Sequence, residues 1–303
     1  MDAFLSSFAW ITDPVVLTRQ VLAGLANGTL LFLVASGLSL IFGLSRIINF
    51  AHGSLFMLGA YVAYTVVGSS TETLAAFAVM LVASTLAVFV FGVAFEVAVL
   101  RRIYRSAQAF QLLVTFGLVL IMGDAVRLIW GSAENSVTMP PLLDGFVRPF
   151  GVSFPVYRIF LIAAGIAICL GLWLLLYRTR WGILVRAATA DRDMLKALGV
   201  DVGRIFTLMF GLGAALAGLA GGLAAPLVSI GPGLHAQVLT DAFVVVAIGG
   251  MGSFPGALLG ALLVGEANAF GILAFPQLAI AVPFILMMIV LILRPQGLLG
   301  HPG

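Results

Sequence analysis

Two pairs of polar residues lie within apolar runs, at positions where a side chain could hold a small solute. Asn49 and His52 are three residues apart, on one face of a helix, and Glu266 lies two residues before Asn268 in a second apolar stretch. Polar groups are costly in such surroundings and often mark the route of a substrate or an ion. An amide, an imidazole and a carboxylate could orient a zwitterion, so we predict that these four residues line a path. Hydrogen bonding between buried helices is the alternative explanation.

The other titratable groups give no support to catalysis or to metal binding. No two of the three histidines are neighbours, and the sequence has neither a nucleophile elbow nor a G-x-x-x-x-G-K-[ST] phosphate loop. Asp124 and Arg127 are three residues apart beside Trp130, which predicts a structural ion pair. Glu96, five residues before Arg101, predicts a snorkelling ion pair or a position at the headgroups. We therefore expect a protein that is not an enzyme and that binds no cofactor itself.

The segment 178–204 holds six of the fifteen basic side chains and three aspartates, between long apolar runs on either side. Apolar residues recur within it at helical spacing, which predicts one or two short amphipathic helices. These residues are Leu184, Ala188, Leu195 and Leu198. Asp191 is a suitable N-cap for the second helix, and Gly199 is a suitable residue to end it. Such helices would rest on lipid headgroups or dock a soluble partner, and the pattern alone leaves both open.

The composition is that of an integral membrane protein. Of the 303 residues, 62% are hydrophobic and 9% are charged, whereas soluble domains have about 25% charged residues. A soluble chain of this length could not bury so much apolar surface. The net charge of +3 comes from short loops between apolar runs, so it does not indicate nucleic acid. We predict an all-α transmembrane helix bundle that forms a single domain over residues 1–303.

About eight spans are expected, because each helical crossing needs about 20 apolar residues. Seven continuous runs are long enough: 21–44, 47–67, 74–100, 110–130, 157–177, 205–226 and 271–293. The stretch 240–268 is apolar too, but a glycine-rich run from Gly249 to Gly256 interrupts it. We predict a broken, re-entrant segment there, with a half-helix at 240–250 and a returning helix at 254–270.

The basic residues set the expected orientation, since Lys and Arg are concentrated on the cytoplasmic side of membranes. Arg46, the bases at 101–105 and the segment 178–204 follow the first, third and fifth spans, so we predict that all three are cytoplasmic. The loop 131–156 and the N-terminus would then be outside. The break in the eighth apolar stretch brings the C-terminus, with Arg294, to the cytoplasmic side.

Four separated runs of sequence follow one another in an order that is specific to a known family. They are INFAHGSLFMLGAY at 48–61, RAATA at 186–190 with LGVD at 198–201, IGGMGS at 248–253 and RPQGL at 294–298. Together they resemble the permeases of bacterial branched-chain amino-acid ABC transporters, and the similarity covers nearly the whole chain. The short N-terminus and the early NFAHG run resemble the LivH-like subunit rather than the longer LivM-like one.

This resemblance implies the permease subunit of an ATP-driven importer in the bacterial inner membrane. In that family two permeases pair, two ATPase subunits dock on coupling helices, and a periplasmic binding protein delivers the solute. The second permease would be a LivM-like subunit or another copy of this chain. The implied coupling residues are Arg186, Asp191, Arg192, Asp193, Leu195, Lys196, Leu198 and Gly199. Urea or short amides are alternative solutes, and a stand-alone ion-coupled carrier that uses Asp124 or Glu266 as a relay is the alternative class.

Overall fold

The computed structural model describes residues 13–104, 106–274 and 276–300, and α-helices form most of this part of the chain. The helices are α1 (Pro14–Ser45), α2 (His52–Val67), α3 (Leu74–Phe95), α4 (Gln108–Trp130), α5 (Val156–Arg178), α6 (Arg180–Ala190), α7 (Arg192–Ala197), α8 (Val202–Ala224), α9 (Leu234–Gly249), α10 (Phe254–Ala274) and α11 (Val282–Leu293). A π-helical turn, Glu96–Leu100, and a last α-helical turn, Arg101–Ile103, continue α3. The described residues do not include the first twelve residues, Arg105 or residues 301–303. The predicted orientation, which uses the N-terminus, Arg105 and the C-terminus, is therefore only partly covered by the structure.

Six helices in the described chain are long and apolar enough to cross a membrane. They are α1, α3 with its two added turns, α4, α5, α8 and α10, while α2, α9 and α11 are shorter apolar helices of 10–17 residues. The predicted class, a polytopic all-α bundle, is therefore confirmed. The predicted count of about eight spans is not confirmed, since the described chain has six long apolar helices and three shorter ones.

The centre of the bundle is formed by α1 and α8. In their most apolar stretches 72% and 78% of the residues are buried, against 22% in α3, α4 and α5. Small residues also allow α8 to approach α3 closely. Gly211, Gly218 and Gly222 face α3, and a Cβ built at Gly218 would lie 2.6 Å from the Cβ of Val88. This glycine stripe is a tight packing surface.

The connection between α1 and α2 folds back into the bundle. Arg46 ends α1 with a left-handed φ of 57°, and the non-helical residues that follow it are largely buried. His52, the first residue of α2, hydrogen-bonds through Nε2 to the carbonyl of Val34 at 2.9 Å. Val34 lies about 16 Å along the axis from the end of α1, at 1.5 Å per residue. The predicted span 47–67 is thus a shorter helix that begins inside the bundle.

The predicted break in the stretch 240–268 is present, between α9 and α10. Gly250 and Gly252 have φ of +100° and +82°, which only glycine adopts readily. Ser39 Oγ donates to the carbonyl of Ser253 at 3.2 Å, so the turn lies beside the last turns of α1. α9 begins six residues before the predicted half-helix, and its 16 residues extend about 24 Å. The predicted span 271–293 is reduced to α11, because residues 271–274 belong to α10.

The C-terminal tail lies at the same end of the bundle as this turn. Leu298 N donates to the carbonyl of Ile248 at 2.8 Å, and Leu299 N donates to that of Gly249 at 3.0 Å. The loops at the opposite end are joined to one another. Asn135 and Ile230 form an isolated bridge, and two short strands, β1 (Phe146–Val147) and β2 (Phe154–Pro155), pair antiparallel.

Candidate functional site

The segment 178–204 folds into the two short helices that its sequence predicts. Thr179 Oγ1 caps α6 by accepting from Gly182 N at 3.1 Å. Asp191 caps α7, since its Oδ1 accepts from the backbone N–H of the second and third residues of the helix at 3.0 and 2.9 Å. Gly199 ends α7 with φ of +80°, and the backbone N–H of the next residue, Val200, donates to the carbonyl of Leu195 at 3.3 Å. Both the predicted cap and the predicted stop are present.

Two arginines of this segment point back toward the bundle. Arg192 donates to the carbonyl of Leu44 at the end of α1, and its guanidinium lies 4.8 Å from the ring centroid of Phe206 in α8. Burial, followed by the nearby charge of Arg46, lowers the pKa of Arg192. Arg186 donates to the carbonyl of Leu176 near the end of α5. These two predicted coupling residues therefore fasten the segment to three of the long helices.

The outer face of the segment combines apolar and charged side chains. We call the exposed residues Ile183, Asp193, Met194, Lys196 and Leu198 the coupling surface. Lys196 Nζ lies 3.5 Å from Asp193 Oδ1. Leu195 and Leu198 were expected on one apolar face, but α7 ends at Ala197 and the two side chains differ in exposure. Leu198 is 72% exposed, whereas Leu195 is buried.

Asn49 and His52 are fully buried at the start of α2, together with Ser54. Because a carbonyl can only accept, His52 Nε2 must carry the proton that it shares with Val34. Asn49 Oδ1 accepts from Ala51 N at 3.1 Å. Within the described chain, Asn49 Nδ2, His52 Nδ1 and Ser54 Oγ have no hydrogen-bond partner. Three polar atoms thus remain available at a helix N-terminus that lies inside the bundle.

Glu266 and Asn268 lie in the second half of α10 and are half-buried. The carboxyl of Glu266 packs against α1, where a Cβ built at Gly24 would lie 2.8 Å from its Oε1. Its Oε2 is buried without a partner in the described part of the chain. The structure therefore brings Asn49 and His52 together at one place and leaves Glu266 at another, between α1 and α10.

A cavity of about 490 Å³ lies between α1, α2, the end of α8 and the start of α9. Its walls combine apolar side chains with five polar ones, and none of the four predicted path residues is among them. The lining includes Leu30, Leu31, Val34, Phe56, Ser132, Glu134, Ser229, Gln237, Val238 and Asp241. Val34 connects the two places, because it lines the cavity and its carbonyl accepts from His52.

Two carboxylates of this cavity were not among the predicted site residues. Glu134 Oε2 accepts from Ser229 Oγ at 2.6 Å. Asp241 is half-buried and makes no side-chain hydrogen bond within the described residues. An ionisable residue inside an apolar run is a functional candidate, and this signal could have found Asp241 in the sequence. Glu134 lies in a loop, and only the fold brings it to the cavity.

Comparison with known proteins gives a family for this arrangement. Residues 20–292 match the family described as the permease component of branched-chain amino acid transport systems. The chain belongs to this family. The high-affinity branched-chain amino acid permease protein BraD of Pseudomonas aeruginosa is 34% identical over 94% of this chain and 96% of its own length. LivH of Escherichia coli is 29% identical over 94% and 96%, and a probable LivH of Methanocaldococcus jannaschii is 29% identical over 93% and 92%.

This chain is therefore a multi-pass membrane permease of the branched-chain amino acid transport family. The relatives are named as transport permeases and not as enzymes. The match includes the short helices α6 and α7, the cavity and the buried start of α2. The residues described above are thus features of a transport protein.

The two predicted ion pairs are also present. Arg127 and Asp124 lie 3.3 Å apart, and both side chains are largely exposed. Arg101 and Glu96 are also 3.3 Å apart, but the Glu96 side chain is completely buried. The start of α8 covers the Glu96 carboxylate, because Thr207 Oγ1 donates to its Oε2.

Proposed function

We propose that this chain is the transmembrane permease subunit of an ATP-driven importer for branched-chain or related amino acids. It acts as a single permease domain in the bacterial inner membrane. The observation that carries the proposal is the segment 178–204, whose two capped helices turn a mixed apolar and charged surface away from the bundle. Arginines fasten the same helices to α1, α5 and α8. A segment whose outer face is exposed and whose inner face is fixed to three helices can transmit the movement of a bound partner to those helices.

The energy for transport comes from other subunits. The chain has no phosphate loop, so two ATPase subunits bind the coupling surface and hydrolyse ATP. A LivM-like permease or a second copy of this chain completes the membrane part, and a periplasmic protein delivers the solute. The coupling surface, the turn 250–253 and the C-terminal tail then face the cytoplasm, while the N-terminus and the cavity mouth beside Glu134 face the periplasm.

The solute path begins in the 490 Å³ cavity, whose volume lies within the range of about 300–1,000 Å³ that is typical of ligand sites. Leu30, Leu31 and Val34 form an apolar wall for a branched side chain, and Asp241 faces the ammonium group. The path continues past Val34 to the start of α2. There the partial positive charge of a helix N-terminus, together with Asn49 Nδ2, favours a carboxylate. Glu266 and Asn268 are proposed to lie on the path at a later stage.

The test uses the complete importer, reconstituted in liposomes with its ATPase subunits and binding protein. Leu198→Glu places a charge at the centre of the coupling surface, and we expect ATP-dependent uptake of labelled leucine to fall at least about tenfold, the loss of about 1.4 kcal/mol of binding. Leu299→Glu is the matched control, since Leu299 is an exposed leucine at the same end of the bundle. Equal uptake by both variants would contradict docking at this surface. Uptake by the chain alone, driven by an ion gradient without ATPases, would support the carrier class instead.

A further inference from the structure

Glu96 is a buried carboxylate that belongs neither to the proposed solute path nor to the coupling surface. It is the first residue of the π-helical turn Glu96–Leu100, and none of its surface is exposed. π-helical turns are rare and occur frequently at functional sites. The turn lies at the end of α3, next to the start of α8 and on the same side of the bundle as the segment 178–204.

Three donors from different parts of the chain surround this carboxylate. Tyr104 Oη donates to Oε1 at 2.9 Å, and Thr207 Oγ1, in α8, donates to Oε2 at 2.7 Å. Arg101 Nη2 lies 3.3 Å from Oε2 and also donates to Thr207. Burial, together with the charge of Glu96, raises the pKa of Tyr104, so its hydroxyl keeps the proton that it donates. The charge of Glu96 is thus fully paired.

The cluster is continuous with the coupling segment. The ring of Tyr104 packs edge-on against Phe206, with centroids 5.4 Å apart. The guanidinium of Arg192, in α7, lies over the ring of Phe206 at 4.8 Å from its centroid. Gln111, in α4, fixes the chain that follows the π turn, because its Nε2 donates to the carbonyl of Ile103 at 3.0 Å. A contiguous set of contacts therefore leads from α7 to the ends of α3 and α8.

The Glu96 carboxylate has no exposed surface, whereas the Arg101 side chain is 46% exposed. Removing a donor from this carboxylate leaves charge without solvent, and Thr207 is the donor that comes from α8. The elements that share Glu96 must then move together or lose their hydrogen bonds together. We propose that Glu96 is a positioning residue for energy coupling. It holds the end of α3 to the start of α8, so that a displacement of α7 reaches both helices. This inference rests on the proposed function, since it needs an ATPase that displaces α7.

The test is Glu96→Gln in the complete importer, with solute uptake and ATP hydrolysis measured in the same liposomes. The glutamine keeps the shape but removes the charge that holds Arg101 and Tyr104. We expect the uptake per ATP hydrolysed to fall by at least about fivefold, the lower limit of typical coupling between sites. Asp124→Asn is the matched control, because it removes a carboxylate from an exposed ion pair, and its ratio should equal that of the parent protein.

A distance measurement separates positioning from a loss of stability. Spin labels at Met194 and Val97, both exposed, are introduced into a Cys169→Ser background. In the parent protein the distance between the labels should stay constant when nucleotide binds, because α7 and α3 move together. In Glu96→Gln it should change. Tyr104→Phe, which loses one donor and keeps the ring on Phe206, gives a second variant and decides the matter if Glu96→Gln does not fold.

An unchanged uptake ratio and an unchanged label distance in the folded variants would overturn the role of Glu96. A reduced amount of folded protein with the parental ratio would overturn it as well, since that result describes a structural residue. Failure of the proposed function gives a different result, because the parent protein itself would then show no ATP-dependent uptake.

Discussion

The crossing of α2 and α8 offers the sharpest test of how the bundle is packed. A Cβ built at Gly221 would touch the carbonyl oxygen of Phe56 and would lie 2.8 Å from the backbone nitrogen of Ala60 and 3.2 Å from the carbonyl carbon of Gly59. All three are backbone atoms of α2, so no side-chain rotation can relieve the contact. Gly221→Ala must push the two helices apart.

The expected cost follows from two opposing effects. Alanine in place of glycine favours a helix by about 0.5–1 kcal/mol. Overpacking a close-packed site costs about 1–3 kcal/mol, and contact with three backbone atoms places Gly221 at the upper end of this range. The net effect is a loss of about 2 kcal/mol of unfolding free energy, and the Tm should fall by about 4–8 °C.

Thermal unfolding of the purified protein in lipid nanodiscs measures this shift. Gly123→Ala is the matched control, because Gly123 is also inside a helix and a Cβ there would have no atom within 4 Å. That variant gains only the greater helix stability that alanine gives in place of glycine, so its Tm should rise by about 1–4 °C. If Gly221→Ala were as stable as Gly123→Ala, the close approach of α2 and α8 would be refuted.

Further variants test the coupling segment and the cavity. Gly199→Ala places a side chain at φ of +80° and should cost about 1–2 kcal/mol of local stability. Faster hydrogen exchange in residues 192–199 measures this loss. Gly199→Asn should exchange more slowly than Gly199→Ala, because Asn tolerates a positive φ better. Asp241→Asn should lower maximal leucine uptake about tenfold, since a charged hydrogen bond contributes about 1.5–3 kcal/mol; uptake equal to that of Asp124→Asn would exclude an ammonium contact. Arg192→Ala should lower uptake while the ATPase subunits still co-purify; if exposed Arg204→Ala lowers it equally, the tether is not responsible.

The sequence predicts the long helices well, because an apolar run of 20 or more residues has one stable form in lipid. It also predicts the ends of α7, since Asp191 and Gly199 act through local backbone geometry. Leu198 shows the limit of the pattern. The 3.6-residue period places it near Leu195, but the helix stops before it, and the residue turns outward.

The remaining features depend on contacts between distant residues. The run from Ile47 is apolar enough to predict a membrane-spanning helix. The hydrogen bond from His52 to Val34 nevertheless folds its first residues back along α1. Glu96 is covered by Thr207, 111 positions further along the chain. No local pattern in the sequence indicates either contact, because each one forms only when α1, α2, α3 and α8 are packed together.

The predicted coupling residues divide into two groups with different tasks. Arg186 and Arg192 use their charges on backbone carbonyls and aromatic rings of the bundle, so those charges are not free to attract a partner. Lys196 and Leu198 remain outside. Arginine is suited to contacts with the bundle because its aliphatic stem can pack on apolar surface. Its planar guanidinium can both donate hydrogen bonds to carbonyls and stack on aromatic rings. The charges of Arg186 and Arg192 therefore hold the segment in place, and under the proposed function the ATPase binds the mixed apolar and charged residues of the coupling surface.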